Sequence, residues 1–268
     1  MQGSAVTGSG SKGRITCFGC ARGVLRRLHP RHLLTLALST LISEAGDAAP
    51  CRQALAIGLD VSGSVDGQEY NLQLNGLAQA LEDPDVRAAL TASPRTRVEL
   101  SVYEWSGPTD QRLLIPWQAI TSQDDIQDIA DKLRRTERLP AHPATAIGQA
   151  MLYGADLLHQ RSDCWQQTLD LSADGMSNAG LRPRDVKPKT ALGGLTINGL
   201  VITSDDAEMA DIGQGPEQLV SYFTELIIQG PLSFVERADG YDAYAAAMAR
   251  KLLRELSGLT ISDRSRSD

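Results

Sequence analysis

"ALAIGLDVSGSVD", residues 54–66, is the stretch whose reading decides the fold. A continuous apolar run is followed at once by Asp60, Ser62, Gly63, Ser64 and Asp66. An unbroken run of this kind is the pattern of a strand buried on both faces, as in a parallel sheet covered by helices. The oxygen-rich segment behind it has three readings: a polar turn, a nucleophile awaiting a base, or half of a metal site.

Working outward, strands and helices alternate. "EYNLQLNGLAQALEDPDVRAAL" (69–90) carries Tyr70, Leu74, Leu77 and Leu81 at helical spacing, with a break at Pro84. "RVELSVYEW" (97–105) and "QRLLIPW" (111–117) read as a hairpin across "SGPTD", and Pro116 suits an edge strand. In "TSQDDIQDIADKLRRT" (121–136), Ser122 caps a helix with Asp125 three residues on. A helix at 146–160 carries Ile147, Met151 and Leu158; "WQQTLDLS" (165–172) and "LTINGLVIT" (195–203) read as strands around a helix at "RPRDVKPKTAL" (182–192). "PEQLVSYFTELII" (216–228), a strand "PLSFVER" (231–237) and a helix at 241–256, with Tyr244, Met248, Leu252 and Leu256 on one face, close the pattern. The class is α/β: one doubly wound, mostly parallel sheet with helices on both faces and one antiparallel edge strand, spanning 52–257.

The chain has 268 residues, 42% hydrophobic and 22% charged, enough for one sizeable core. Its first 47 residues differ in kind: Arg22, Arg26, Arg27 and Arg31 precede the apolar "LLTLALSTLI" (33–42), and small residues follow. That order is expected of a secretory signal peptide, which makes 1–47 a leader and places the mature protein in the periplasm or outside the cell. The apolar run is short for a bilayer, so no stable membrane span is expected once the leader is removed. Without it the chain keeps 20 basic against 31 acidic residues, a net charge of −11. Such acidity disfavours nucleic acid as a partner. Residues 258–268 read as a disordered tail.

Cys17 and Cys20 form a lone CxxC inside the leader and are assigned no role. Cys51 lies nine residues before Asp60 and Cys164 ten before Asp174, each ahead of an apolar run. Neighbouring parallel strands would bring these two thiols to one end of the sheet, where an oxidising compartment allows them to pair. Two separate buried thiols are the alternative.

In a doubly wound sheet, ligands bind beyond the carboxyl ends of the strands where strand order reverses. "LDVSGSVD" (59–66) is at the carboxyl end of the first strand, and "LSADGMSN" (171–178) at that of the strand after Cys164. With a 3-2-1-4-5-6 order these two strands flank the switch point. "HPATAIG" (142–148) brings Thr145 to the same side. Asp60, Ser62, Ser64, Thr145 and Asp174 are hard oxygen donors, suited to Mg²⁺ first and to Ca²⁺ or Mn²⁺, and unsuited to zinc or copper. Residues two apart on an extended segment point the same way, so Asp60, Ser62 and Ser64 can face one ion. With only two carboxylates, coordination positions stay with water, and an acidic group on a partner can displace one.

These residues, "DVSGS" with Thr145 and the "ADG" of Asp174, resemble the metal-ion-dependent adhesion site of the von Willebrand factor type A domain superfamily. More narrowly, 52–257 is similar to a bacterial exported family known only as a domain of unknown function, through "LDVSGSVDGQEYNLQLNGLAQALEDPDVRAAL", "EWSG" to "PW", "INGL" and the segment from "YFTELIIQGPLSFVERADG" onward. The resemblance implies a Rossmann-like fold and a divalent cation held by the five residues. It also implies a binding or assembly role, in which an unidentified protein completes the ion's coordination with an acidic side chain. This chain has Pro143-Ala144-Thr145 where the superfamily commonly has Gly-Gly-Thr, and Ala173 where the narrower family favours glycine.

A hydrolase using the same turn is the competing function, either metal-assisted or with Ser62 or Ser64 as nucleophile, His142 as base and Asp174 as orienter. No G-x-S-x-G elbow supports it, and the chain after residue 47 has only two histidines, His142 and His159. Asp66 reads as the residue that starts a helix, Trp105 and Trp117 as core or sheet-edge packing, His142 as a loop residue on the rim of the site. Asp170 has no assignment.

Overall fold

The computed structural model describes residues 49–203 and 215–264, so the leader lies outside the described residues. Strand β1 (Cys51–Asp60) is buried at every one of its ten positions. It runs between parallel partners β2 (Arg97–Trp105) and β4 (Gln166–Ala173). The sheet continues to β5 (Thr196–Thr203) and β6 (Val235–Asp239) on one side and to β3 (Gln111–Ile120) on the other, in the order β3-β2-β1-β4-β5-β6. Among the strand pairs of the described residues only β2 and β3 run antiparallel, apart from a single bridge between Ile197 and Gln229. Pro116, which has no N–H for a ladder, lies in edge strand β3 as its chemistry requires.

The pleat sorts β1 between two cores. Leu55, Ile57 and Leu59 pack with α1 (Gly67–Glu82), α2 (Pro84–Leu90), α3 (Gln123–Arg134) and the closing helix. Ala54 and Ala56 face α4 (Ile147–His159), the short α5 (Pro183–Val186) and α6 (Pro216–Leu226). Helix α1 starts where the sequence says it must: Asp66 accepts from the N–H groups of Gln68 and Glu69, while Glu69 accepts from the N–H of Asp66. Ser122 and Asp125 close the same reciprocal box on α3. Pro84, Pro183 and Pro216 each sit in the first turn of a helix, where a missing N–H costs nothing.

Three boundaries differ from the sequence reading. The segment 182–192 forms one turn of helix and a 3-10 turn (Thr190–Leu192), because Pro188 bars a longer helix. The last strand begins at Val235, four residues later than expected, since Leu232 at φ 60° and Gly230 at φ 91° turn the chain before it. Helix α7 (Tyr244–Arg264) continues past residue 257, where the tail was placed; residues 265–268 lie outside the described residues.

Cys51 and Cys164 are joined in a disulfide across 113 residues, with Cα atoms 4.5 Å apart. The N–H of Trp165 donates to the carbonyl of Cys51 at 3.0 Å, so the bridge continues the β1–β4 ladder at its amino end. A cross-link over a loop of this length is worth up to about 4 to 5 kcal/mol through the unfolded chain's entropy.

Candidate metal centre

Parallel pairing of β1 with β4 brings Asp60 and Asp174 out at the same carboxyl end of the sheet. The turn after β1 is held by its own first residue. One carboxylate oxygen of Asp60, Oδ1, accepts the N–H of Ser62 at 2.8 Å, which is how aspartate makes a turn two residues long. Gln73 on α1 donates to the Asp60 carbonyl at 2.9 Å, and the N–H of Val61 reaches the carbonyl of Trp105 at 2.9 Å. At Gly63 a Cβ would lie 3.0 Å from Pro143, whose carbonyl accepts the Gly63 N–H, so the 142–148 loop can close onto the turn only over a glycine.

The five predicted donors come together. Thr145 Oγ1 donates to Ser62 Oγ at 3.2 Å, Ser62 and Ser64 hydroxyls are 3.3 Å apart, and Ser64 Oγ donates to Asp174 Oδ1 at 2.7 Å. Thr145 is held in the absence of the Gly-Gly pair by Asn178, whose side-chain carbonyl accepts the Thr145 N–H at 2.8 Å and whose own N–H donates to the Thr145 carbonyl at 2.9 Å. Pro143, Ala144 and Ala173 need no left-handed backbone, since Leu232 is the only non-glycine at positive φ among the described residues. Glycine is therefore dispensable at those three positions.

Electrostatics sets this cluster apart. Asp60 is fully buried, and its Oδ2 has no hydrogen-bond partner. Burial, and secondarily the charge of Asp174, push its pKa well above the ordinary carboxylate range; burial also raises Asp174. Among the described residues neither forms an ion pair. A buried carboxylate oxygen without a hydrogen-bond partner is costly to leave uncompensated. No three His, Cys, Asp or Glu side chains gather for a metal among the described residues; the donors here are two carboxylates and three hydroxyls, which fit a hard ion. Beside Ser64 and Asp174 lies a hollow of about 440 Å³ whose rim includes Asp66, Glu69 and Asp242.

Residues that the sequence left aside fall into place. Trp105 is wholly buried, Trp117 donates to the carbonyl of Leu157 at 3.2 Å, and His142 accepts the N–H of Ala144 on its Nδ1 at 3.0 Å. Asp170 forms a buried ion pair with Lys251. Sequence reasoning missed Asn178, Gln73, Lys251 and Tyr241. Asn178 was within sight, in the turn already singled out; nothing local marks the other three.

The sheet order, the single antiparallel edge pair and the helices on both faces are those of a von Willebrand factor type A domain. Solved structures of that fold superimpose on it. They include proximal thread matrix protein 1 from the mussel byssus (TM-score 0.55, 15% identity, 78% of this chain and 49% of that one) and a von Willebrand factor type A protein from Catenulispora acidiphila (0.53, 15%, 78% and 43%). The pilus adhesin SpaC from Lactobacillus rhamnosus GG is similar too (0.52, 16%, 77% and 31%). This chain thus spans less than half the length of each of these proteins, and at such identities the likeness shows the fold alone. The chain belongs to the family described as "Protein of unknown function (DUF1194)", whose model matches residues 50–260. Comparison with curated proteins returned no match.

Proposed function

We propose that this protein is an exported binding module that uses a divalent cation, Mg²⁺ in the first place, to grip an acidic side chain on another protein. Asp60, Ser62, Ser64, Thr145 and Asp174 would hold the ion, leaving positions for water and for the partner's carboxylate. The ion supplies a charge that neutralises the two aspartates and attracts a third carboxylate. The protein supplies a pre-formed set of oxygens, buried at Asp60, Ser62 and Thr145 and open to solvent at Ser64, and hydroxyls that keep the site's charge low.

The observation that carries this reading is the unpartnered, fully buried Oδ2 of Asp60 beside Asp174, with no cationic side chain paired to either among the described residues. A structure of the mussel thread protein holds zinc in its metal-ion-dependent adhesion site (TM-score 0.51, 14% identity), and SpaC is a pilus adhesin; both lend support to a binding role. Export is supported by the Cys51–Cys164 disulfide, which persists in oxidising compartments, and by the signal-like leader. Among the described residues no helix is long and apolar enough to cross a membrane.

Partner capture with and without chelator tests the function directly. Bound protein should be lost on chelation, restored by Mg²⁺, and lost in Asp60→Asn. Capture that ignores chelator overturns the cation's role. Turnover of model esters or phosphates that disappears in Ser62→Ala would replace the binding module with a hydrolase.

A further inference from the structure

Asp174 is held at both oxygens, and one of the two donors comes from a part of the chain far from any of the three turns. Ser64 donates to Oδ1 at 2.7 Å, and the hydroxyl of Tyr241 donates to Oδ2 at 3.1 Å. Tyr241 opens the 3-10 turn (Tyr241–Ala243) that leads into α7. It is delivered there by Gly240, at φ 81°, a left-handed conformation that glycine adopts without strain; the Gly240 N–H is anchored on the carbonyl of Thr203 at 2.8 Å. The ring is 9% exposed and packs with the core between the sheet and α1.

Resting on the cation reading above, we infer that Tyr241 is a positioning residue of the metal centre, acting through Asp174. Asp60 and Asp174 repel one another, and a carboxylate at the end of a strand is free to rotate away from a like charge. Two side-chain donors stand against that rotation. Ser64 is itself a ligand in the cation reading, so its oxygen turns to the ion on binding. Tyr241 has no second role at the site, and its hydroxyl, with the backbone N–H of Asp174 itself, keeps Asp174 aimed through the loading of the ion. Outer hydrogen-bond partners of metal ligands typically contribute about 10- to 100-fold to metal affinity.

Mn²⁺ binding, followed by calorimetry and by the electron paramagnetic resonance of the bound ion, tests this in four proteins: wild type, Tyr241→Phe, Tyr244→Phe and Asp60→Asn. Tyr241→Phe keeps the ring in the core and removes only the donor. It should weaken Mn²⁺ by about tenfold or more and alter the resonance spectrum at saturating metal, because Asp174 is no longer held. Tyr244→Phe is the control. Its hydroxyl lies 3.1 Å from that of Ser172, is buried and is not bonded to any of the five cation donors, so its loss should lower thermal stability while leaving Mn²⁺ affinity and spectrum as in wild type. Tyr241→Phe binding Mn²⁺ within twofold of wild type, with an unchanged spectrum, overturns the role of Tyr241 and leaves the cation site standing. Wild type that binds no better than Asp60→Asn overturns both.

Discussion

Asp170 and Asp174 are four residues apart, one inside β4 and one just past its end, and burial raises the pKa of both. Asp170 has its cation built in. Lys251 on α7 sits 2.6 Å from it and 2.6 Å from Glu255, all three buried, and Asn198 donates to Glu255 at 2.7 Å. Burial alone would lower the pKa of Lys251; Asp170 and Glu255 outweigh it, and the net direction is up. Asp174 and Asp60 have hydroxyls and backbone N–H groups but no such partner among the described residues. One aspartate of β4 is thus answered by a lysine of the chain, and the one just past its end has no cationic partner among the described residues. The fold supplies a lysine at the first place and only hydroxyl donors from side chains at the second; in the proposed function the first charge is structural and the second serves binding.

That contrast can be broken from the structural side first. Lys251→Met strands Asp170 and Glu255 without their cation, and removing one partner of a buried pair costs about 3 to 5 kcal/mol. Thermal unfolding should show a fall of roughly 10 °C, with no recovery on adding Mg²⁺. The next effect is on pH. Asp170 is raised to about 7, mainly by burial and against the pull of Lys251. Since the native carboxyl binds a proton more tightly than the unfolded one, its contribution is full below the unfolded value near 3.8 and is lost as pH rises through about 7. Asp170→Asn should flatten the decline of melting temperature between those limits; a slope equal to that of wild type would refute this.

From the binding side, Mg²⁺ at ten times its dissociation constant should stabilise the wild type by about 1.4 kcal/mol, a shift of roughly 3 to 6 °C. Asp60→Asn should abolish the shift and, by removing a repulsion, raise the melting temperature of the metal-free protein. A metal-free melting temperature that falls as in Lys251→Met would erase the distinction between the two pairs. The smallest effect belongs to Asn178→Ala, which loses the bond that seats Thr145, about 1 kcal/mol. It should weaken Mg²⁺ a few-fold in a titration while the Asp60 turn keeps its shape.

Much of this was legible before any coordinates. The unbroken apolar run of 54–59, the helical spacing of Tyr70, Leu74, Leu77 and Leu81, the capping boxes at Asp66 and Ser122, and Pro116 on an edge are all local signals, and the structure carries each of them. Cys51 and Cys164 pair because similar offsets, nine and ten residues ahead of Asp60 and Asp174, along neighbouring parallel strands bring them to one end. The helix expected at 182–192, already weakened by Pro183 and Pro188, stops after one turn because Pro188 has no N–H to continue it.

By itself, the sequence determined the alternating architecture and the three oxygen-rich turns, since both rest on the period of side chains along a strand or helix and on turn chemistry a few residues long. Tertiary structure alone decided which carboxylate would be answered from within. Lys251 reaches Asp170 across 81 residues and Tyr241 reaches Asp174 across 67, through the packing of α7 and its leading turn on the sheet. Such contacts depend on the register of one element against another, which no local spacing encodes.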